Sequence, residues 1–148
     1  MKIILTLIIY LSVIIKGVTQ PFPYVNTHEN IDTFWLTGNA KINAFQQIDF
    51  LHRLYNKQLP ISKETNQTIR DILQIEQNQN YILSGKTGLA IRTQKYIGWF
   101  VGYIEKGEEI TYFATKISPN QNDMPRNKFA ALRKEITISA LKELGIIE

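Results

Sequence analysis

Tyr81-Ile82-Leu83-Ser84-Gly85-Lys86-Thr87-Gly88-Leu89-Ala90-Ile91-Arg92-Thr93 reads as an extended segment, and its continuation toward residue 117 decides the fold. A turn at Gln94-Lys95 leads into residues 96–104, dense in aromatic and β-branched side chains, with Gly98 and Gly102 breaking the run. Glu105-Lys106-Gly107-Glu108 has hairpin-turn chemistry, and residues 110–117 return. Three strand-like runs joined by short turns make an antiparallel meander of three strands.

Helical periodicity flanks the meander on both sides. Before it, Phe45, Ile48, Leu51, Leu54 and Tyr55 recur at three- and four-residue steps, predicting a helix over 42–57. Asn43 is placed to cap that helix and Leu59-Pro60 to end it. A second helix starts at Ser62, with Ile69, Ile72 and Leu73 on its inner face. The asparagine- and glutamine-rich stretch 74–80 reads as a connecting loop. After the meander, Asn122, Asp123 and Pro125 open a helix that runs to about Leu144. Phe129, Leu132, Ile136, Ala140 and Leu144 lie along one side of it, and Gly145 stops it. The class is α+β.

The start of the chain differs in kind. Met1-Lys2 precedes an apolar run over 3–15 that Lys16 ends. This fits the basic and apolar regions of a secretory signal, and it is short for a bilayer span of about 20 apolar residues. Gly17-Val18-Thr19-Gln20 offers small residues but no clean A-x-A cleavage site. A cleaved signal peptide, an uncleaved anchor and a buried helix all fit, and the first two make the protein exported, that is, periplasmic. Residues 1–20 are thus a leader, 21–30 a linker carrying Pro21 and Pro23, and 31–148 the domain.

The 148 residues hold 44% hydrophobic and 20% charged side chains, enough for a packed core. A net charge of +4 is scattered, without the basic face of a nucleic-acid binder. There is no cysteine, so disulfides and thiolate metal sites are excluded. His28 and His52 form no HxxxH or HExxH pattern, so neither a metal nor another cofactor is expected, and no membrane contact beyond the leader.

Lys86-Thr87-Gly88 is the sharpest chemical feature. Alone it reads equally as a hairpin strand with a turn-proximal lysine. Together with Asp32-Thr33-Phe34-Trp35-Leu36, Gly98-Trp99-Phe100-Val101-Gly102-Tyr103 and Arg133-Lys134-Glu135-Ile136, in that order, it resembles the class D β-lactamases over residues 24–148. The β-lactam sensor domains of some receptors share some of these motifs and are a lesser match. The resemblance implies a partial β-lactamase/transpeptidase-like fold and a β-lactam as small-molecule partner.

The resemblance also implies site roles. Lys86 supplies positive charge toward the substrate carboxylate and a serine hydroxyl. Thr87 donates to that carboxylate, and Gly88 lets the substrate approach the strand backbone. Leu89 offers its backbone N–H to the oxyanion. Trp35 supports a catalytic lysine, and Arg133 grips the carboxylate with a planar fork of donors, though a solvated helix charge is its other reading.

Two departures stand against full activity. Tyr24-Val25-Asn26 stands where the family has Tyr-Gly-Asn, and no Ser-x-x-Lys precedes the triplet. The one such string, Ser139-Ala140-Leu141-Lys142, lies in the last helix, in the wrong order. The expectation is a truncated chain, inactive alone; the alternative is a non-catalytic penicillin-binding or β-lactam-sensor-like remnant or interaction module, with one side of its meander lacking helices and partner strands and open to a partner chain or self-association.

Overall fold

The computed structural model describes residues 3–11, 42–92, 95–119 and 125–148. In chain order these form β1 (Ile3–Leu11), α1 (Ala44–Tyr55), α2 (Lys63–Leu73), β2 (Gln74–Gln77), β3 (Ile82–Arg92), β4 (Lys95–Lys106), β5 (Glu109–Pro119) and α3 (Arg126–Glu143). Trp35, His28, the Tyr24-Val25-Asn26 string, the linker and the Thr93-Gln94 link lie outside the described residues, as do Asn122 and Asp123.

The meander β3-β4-β5 is antiparallel throughout. It sits inside a five-stranded sheet of order β1-β5-β4-β3-β2, so the expected three strands are the middle of a wider sheet. Gln74–Gln77, expected as loop, pairs with Ile82–Ser84 as β2. Its exposed polar side chains gave no strand pattern. The apolar run at the start contributes β1, whose backbone pairs with β5 from Ile3↔Pro119 to Leu11↔Thr111.

Gly98 and Gly102 do not break β4; they make room inside it. A Cβ on Gly102 would fall 2.1 Å from the Ser84 carbonyl oxygen and 2.7 Å from Phe113 Cζ. A Cβ on Gly98 would crowd Phe129 of α3 at 3.1 Å. The β4–β5 turn is tight, with Gly107 at φ +61 in the left-handed region that glycine adopts freely.

Helices cover both faces of the sheet, contrary to the expectation of a bare side. Ile48 and Leu51 of α1 pack with Tyr103, Tyr112 and Ala114 on one face. Leu141 of α3 packs with Leu83, Phe100, Ile104 and Phe113 on the other, and Phe129 meets Ile117 farther along. Leu54, Phe100, Phe113, Phe129 and Leu141 are fully buried. Side chains of this size stabilise by about 1.5–3 kcal/mol each when removed from water.

Local capping explains where the first two helices begin. Asn43 accepts from Gln46 N at 2.9 Å and its own N–H donates to Gln46 Oε1 at 2.9 Å, a reciprocal cap. Ser62 Oγ accepts from Thr65 N at 3.1 Å. α1 stops at Tyr55, ahead of Leu59-Pro60, with Asn56 as its C-cap.

Ile72, expected on the inner face of α2, is 71% exposed; Asn66 is buried in its place. Asn66 Nδ2 donates to the Leu54 carbonyl at 2.9 Å, tying α2 to α1. Glu105 of β4 ties both helices to the sheet. Its Oε1 accepts from Tyr55 Oη at 2.9 Å and from Arg70 Nη2 at 3.1 Å, and the Arg70 guanidinium lies 4.6 Å from the Tyr55 ring centroid. This node was missed in the sequence, because its members are polar and up to 50 residues apart.

Candidate functional site

The free stretch of β3 is the centre of the site. One edge of β3 pairs with β4 along its whole length. The other pairs with β2 only at Ile82–Ser84, so Lys86-Thr87-Gly88-Leu89 faces outward with no described strand beside it. Gly85 stands opposite Gly102, and a Cβ on Gly102 would lie 2.8 Å from Gly85 Cα. So close an approach marks a non-hydrogen-bonded pair in an antiparallel ladder. Alternation then turns the backbone N–H groups of Thr87 and Leu89 away from β4 and toward the free edge.

Side chains alternate likewise. Leu83 and Leu89 pack on the α3 face, which puts Thr87 on that face and Lys86 on the other. Lys86 is exposed, and its Nζ donates to the Thr87 carbonyl at 3.1 Å, so the amine returns to the strand edge.

Arg133 reaches the same place from α3. Its Nη1 donates to the Gly88 carbonyl at 3.0 Å. Its Nε is buried without a partner among the described residues, and burial pulls the guanidinium down from its ordinary value, though arginine stays charged in proteins. Thr87 and Arg133 line one cleft of about 670 Å³, together with Lys134, Ile138, Ser139 and Lys142.

The inner face of α3 matches the expected one in part, with Phe129, Leu132 and Ile136 packed in the cluster around Ile117. Its buried row is Phe129, Thr137 and Leu141, with Arg133 in the same four-residue series, while Leu144 is 60% exposed. An arginine and a threonine interrupt this row, so apolar periodicity alone traced it only in part. The spacing of Phe129, Thr137 and Leu141 at multiples of four was the available signal.

The structure therefore brings Thr87, Gly88 and Arg133 together, with Lys86 and the Leu89 N–H at the same edge. Trp35 lies outside the described residues. Trp99 packs against the α1-side core, and Lys116 Nζ stands 5.7 Å from its ring centroid. Ser139 and Lys142 share the cleft, but Lys142 Nζ is taken by the Glu148 backbone carbonyl. The arrangement presents cationic and hydroxyl donors beside strand N–H groups that have no partner strand among the described residues, a setting for an anionic ligand lying along β3.

Comparison with known proteins places the fold in a family. Residues 10–139 match the penicillin binding protein transpeptidase domain family. The chain is similar to β-lactamase OXA-48 of Klebsiella pneumoniae, 36% identical over 118 residues, covering 80% of this chain and 43% of that protein. It is 28% identical over 114 residues to the regulatory protein BlaR1 of Bacillus licheniformis, covering 76% of this chain and 18% of that protein. Among solved structures, the class D β-lactamase YbXI from Nostoc superposes with a TM-score of 0.72 at 45% identity, covering 82% of this chain and 48% of that one. The chain spans under half the length of these relatives.

Proposed function

The chain belongs to the penicillin-binding protein transpeptidase-domain family, in its class D β-lactamase-like branch, and from that premise we propose that it carries the carboxylate-gripping side of a β-lactam site. In this reading Thr87 Oγ1 and the Arg133 guanidinium hold the ligand carboxylate. Lys86 supplies positive charge at the strand edge, and the Leu89 N–H donates to the carbonyl oxygen under attack. The full reaction is opening of a β-lactam ring through an acyl-serine intermediate.

A single observation carries the reading. Thr87 and Arg133 line one cleft, with the guanidinium fixed 3.0 Å from the carbonyl of Gly88.

The nucleophile is the part these 148 residues do not offer in the expected order, since the only Ser-x-x-Lys string is on α3. Loss of residues that act as a unit removes nearly all of a rate, so the chain alone binds without turning over. The apolar run after Lys2 supports an exported, periplasmic protein.

The test is a pair of measurements on the full chain. A chromogenic cephalosporin should show no turnover above a Lys86→Ala control. A penicillin should bind without leaving a covalent adduct in the intact mass. One drug added per chain would mean that some residue here is a nucleophile, and absence of binding would end the proposal. The likeness to BlaR1 supports a second reading, a β-lactam-sensing or interaction module. It predicts a stable adduct with no hydrolysis once a serine-bearing partner chain is added.

A further inference from the structure

β5 is buried on both of its faces along most of its length. Thr111, Tyr112, Phe113, Ala114 and Thr115 are buried in succession, and Ile117 after them. A row of unpaired backbone groups along so apolar a strand would be a template for association with other chains. In this protein that row is occupied. The backbone of Ile3–Leu11 pairs with it through nine consecutive positions without a register shift. The occupying segment is the apolar run that also fits an export leader, and its composition explains the double use. Ile3, Ile4, Thr6, Ile8 and Ile9 are β-branched, a residue type that favours strands over helices. The stretch after it, Gly17-Val18-Thr19-Gln20, offers no clean cleavage motif. The family match also begins at residue 10, inside the same strand.

We propose that Ile3–Leu11 is retained as a structural strand of the folded protein, so that the run which can direct export is afterwards consumed as the strand beside β5. The occupant of the β5 edge is then this chain's own leader, not a second copy and not a lipid bilayer.

The chain has no cysteine, so an introduced pair reports without interference. Thr6 and Lys116 are Cα partners, and Lys116 is exposed. Partners across an antiparallel ladder stand about 4.5–5.5 Å apart, within disulfide reach. Tyr10 is four positions farther along β1, which puts it roughly 13 Å from Lys116, out of reach. Under mild oxidation the full-length Thr6→Cys/Lys116→Cys variant should close an intramolecular bridge at least tenfold more completely than Tyr10→Cys/Lys116→Cys. The reduced forms of both variants should melt with the parent chain, which shows that folding is intact. The parent, recovered folded from an exporting host, should have an intact mass that includes residues 3–20. A 6/116 pair that stays reduced in a folded chain would overturn the proposal. Equal bridging by both pairs would do so too, as would a folded product whose first residue lies beyond Leu11.

Discussion

Thr115 and Thr137 meet hydroxyl to hydroxyl at 2.6 Å in the buried seam between β5 and α3. The Thr137 hydroxyl also lies 2.8 Å from the Arg133 carbonyl, one helical turn back. The pair sets the rotation of α3 about its axis, and that rotation points Arg133 at Gly88. Thr137→Val keeps the shape and strands the Thr115 hydroxyl in the core. The expected loss is about 1–3 kcal/mol, read by chemical denaturation. Thr115→Val added to it should return part of that loss, because two apolar partners leave nothing unsatisfied.

Arg133→Lys should preserve folding and weaken ligand binding. A lysine keeps the charge but presents no planar fork, so it cannot hold the Gly88 carbonyl and a carboxylate together. Titration with a penicillin should give a Kd about tenfold higher or more, the equivalent of one charge-assisted hydrogen bond. An unchanged Kd would remove Arg133 from the site.

Gly102→Ala and Gly88→Ala separate packing from function. The first puts a methyl 2.1 Å from a backbone oxygen and 2.7 Å from the Phe113 ring. Overpacking of this kind costs about 1–3 kcal/mol, and backbone contact puts this case at the upper end or beyond. The second has room, its nearest neighbour being Trp99 Cβ at 3.7 Å. Gly88→Ala should therefore melt with the parent while binding a penicillin more weakly, since the methyl narrows the approach to β3. Thermal melts and binding isotherms on the two variants decide this.

Stability should fall steeply in alkali. Burial raises the Tyr112 phenol above its ordinary value, helped by neighbouring Tyr55 and Tyr103. Tyr55 is raised by burial and by its bond to Glu105. A phenol whose folded value is raised stays protonated while the unfolded chain ionises. The stabilisation is therefore complete below about pH 10 and is lost as pH climbs through the raised folded values. Tyr112→Phe should flatten that decline in denaturation midpoints measured from pH 9 upward, and an unchanged slope would exclude Tyr112 as its source.

What could be read from the amino acids alone was local. Asn43 and Ser62 cap where expected, Gly107 turns the hairpin, Gly145 closes α3 at φ +69, and the Lys86-Thr87-Gly88 strand lies in the meander. These signals need only a few neighbouring residues. Others depended on partners far along the chain. Gln74–Gln77 is a strand because β3 accepts it, not because of its side chains. Gly98 and Gly102 look like interruptions until Phe129 and Phe113 fill the space they leave. The apolar run at the start satisfies a leader and a strand alike, and its composition does not separate the two. The facing of α3 was legible only in part, since Phe129, Leu132 and Ile136 pack inward but the fully buried row also carries Thr137, in series with Arg133.

The Gly85–Gly102 contact has a bearing on how the chain avoids mispairing. Face alternation penalises a slip of one residue, but a slip of two keeps every apolar side chain on its proper side and would pass that check. Here such a slip sets Gly102 against Leu83 or Thr87, in a gap with no space for a Cβ. The next hairpin has its own check, since a slip of β5 along β4 would pull apart the Phe100 and Phe113 rings, whose centroids lie 5.0 Å apart. Two hydrogen atoms where side chains would otherwise stand thus work as a notch, and the hairpin closes in one alignment only.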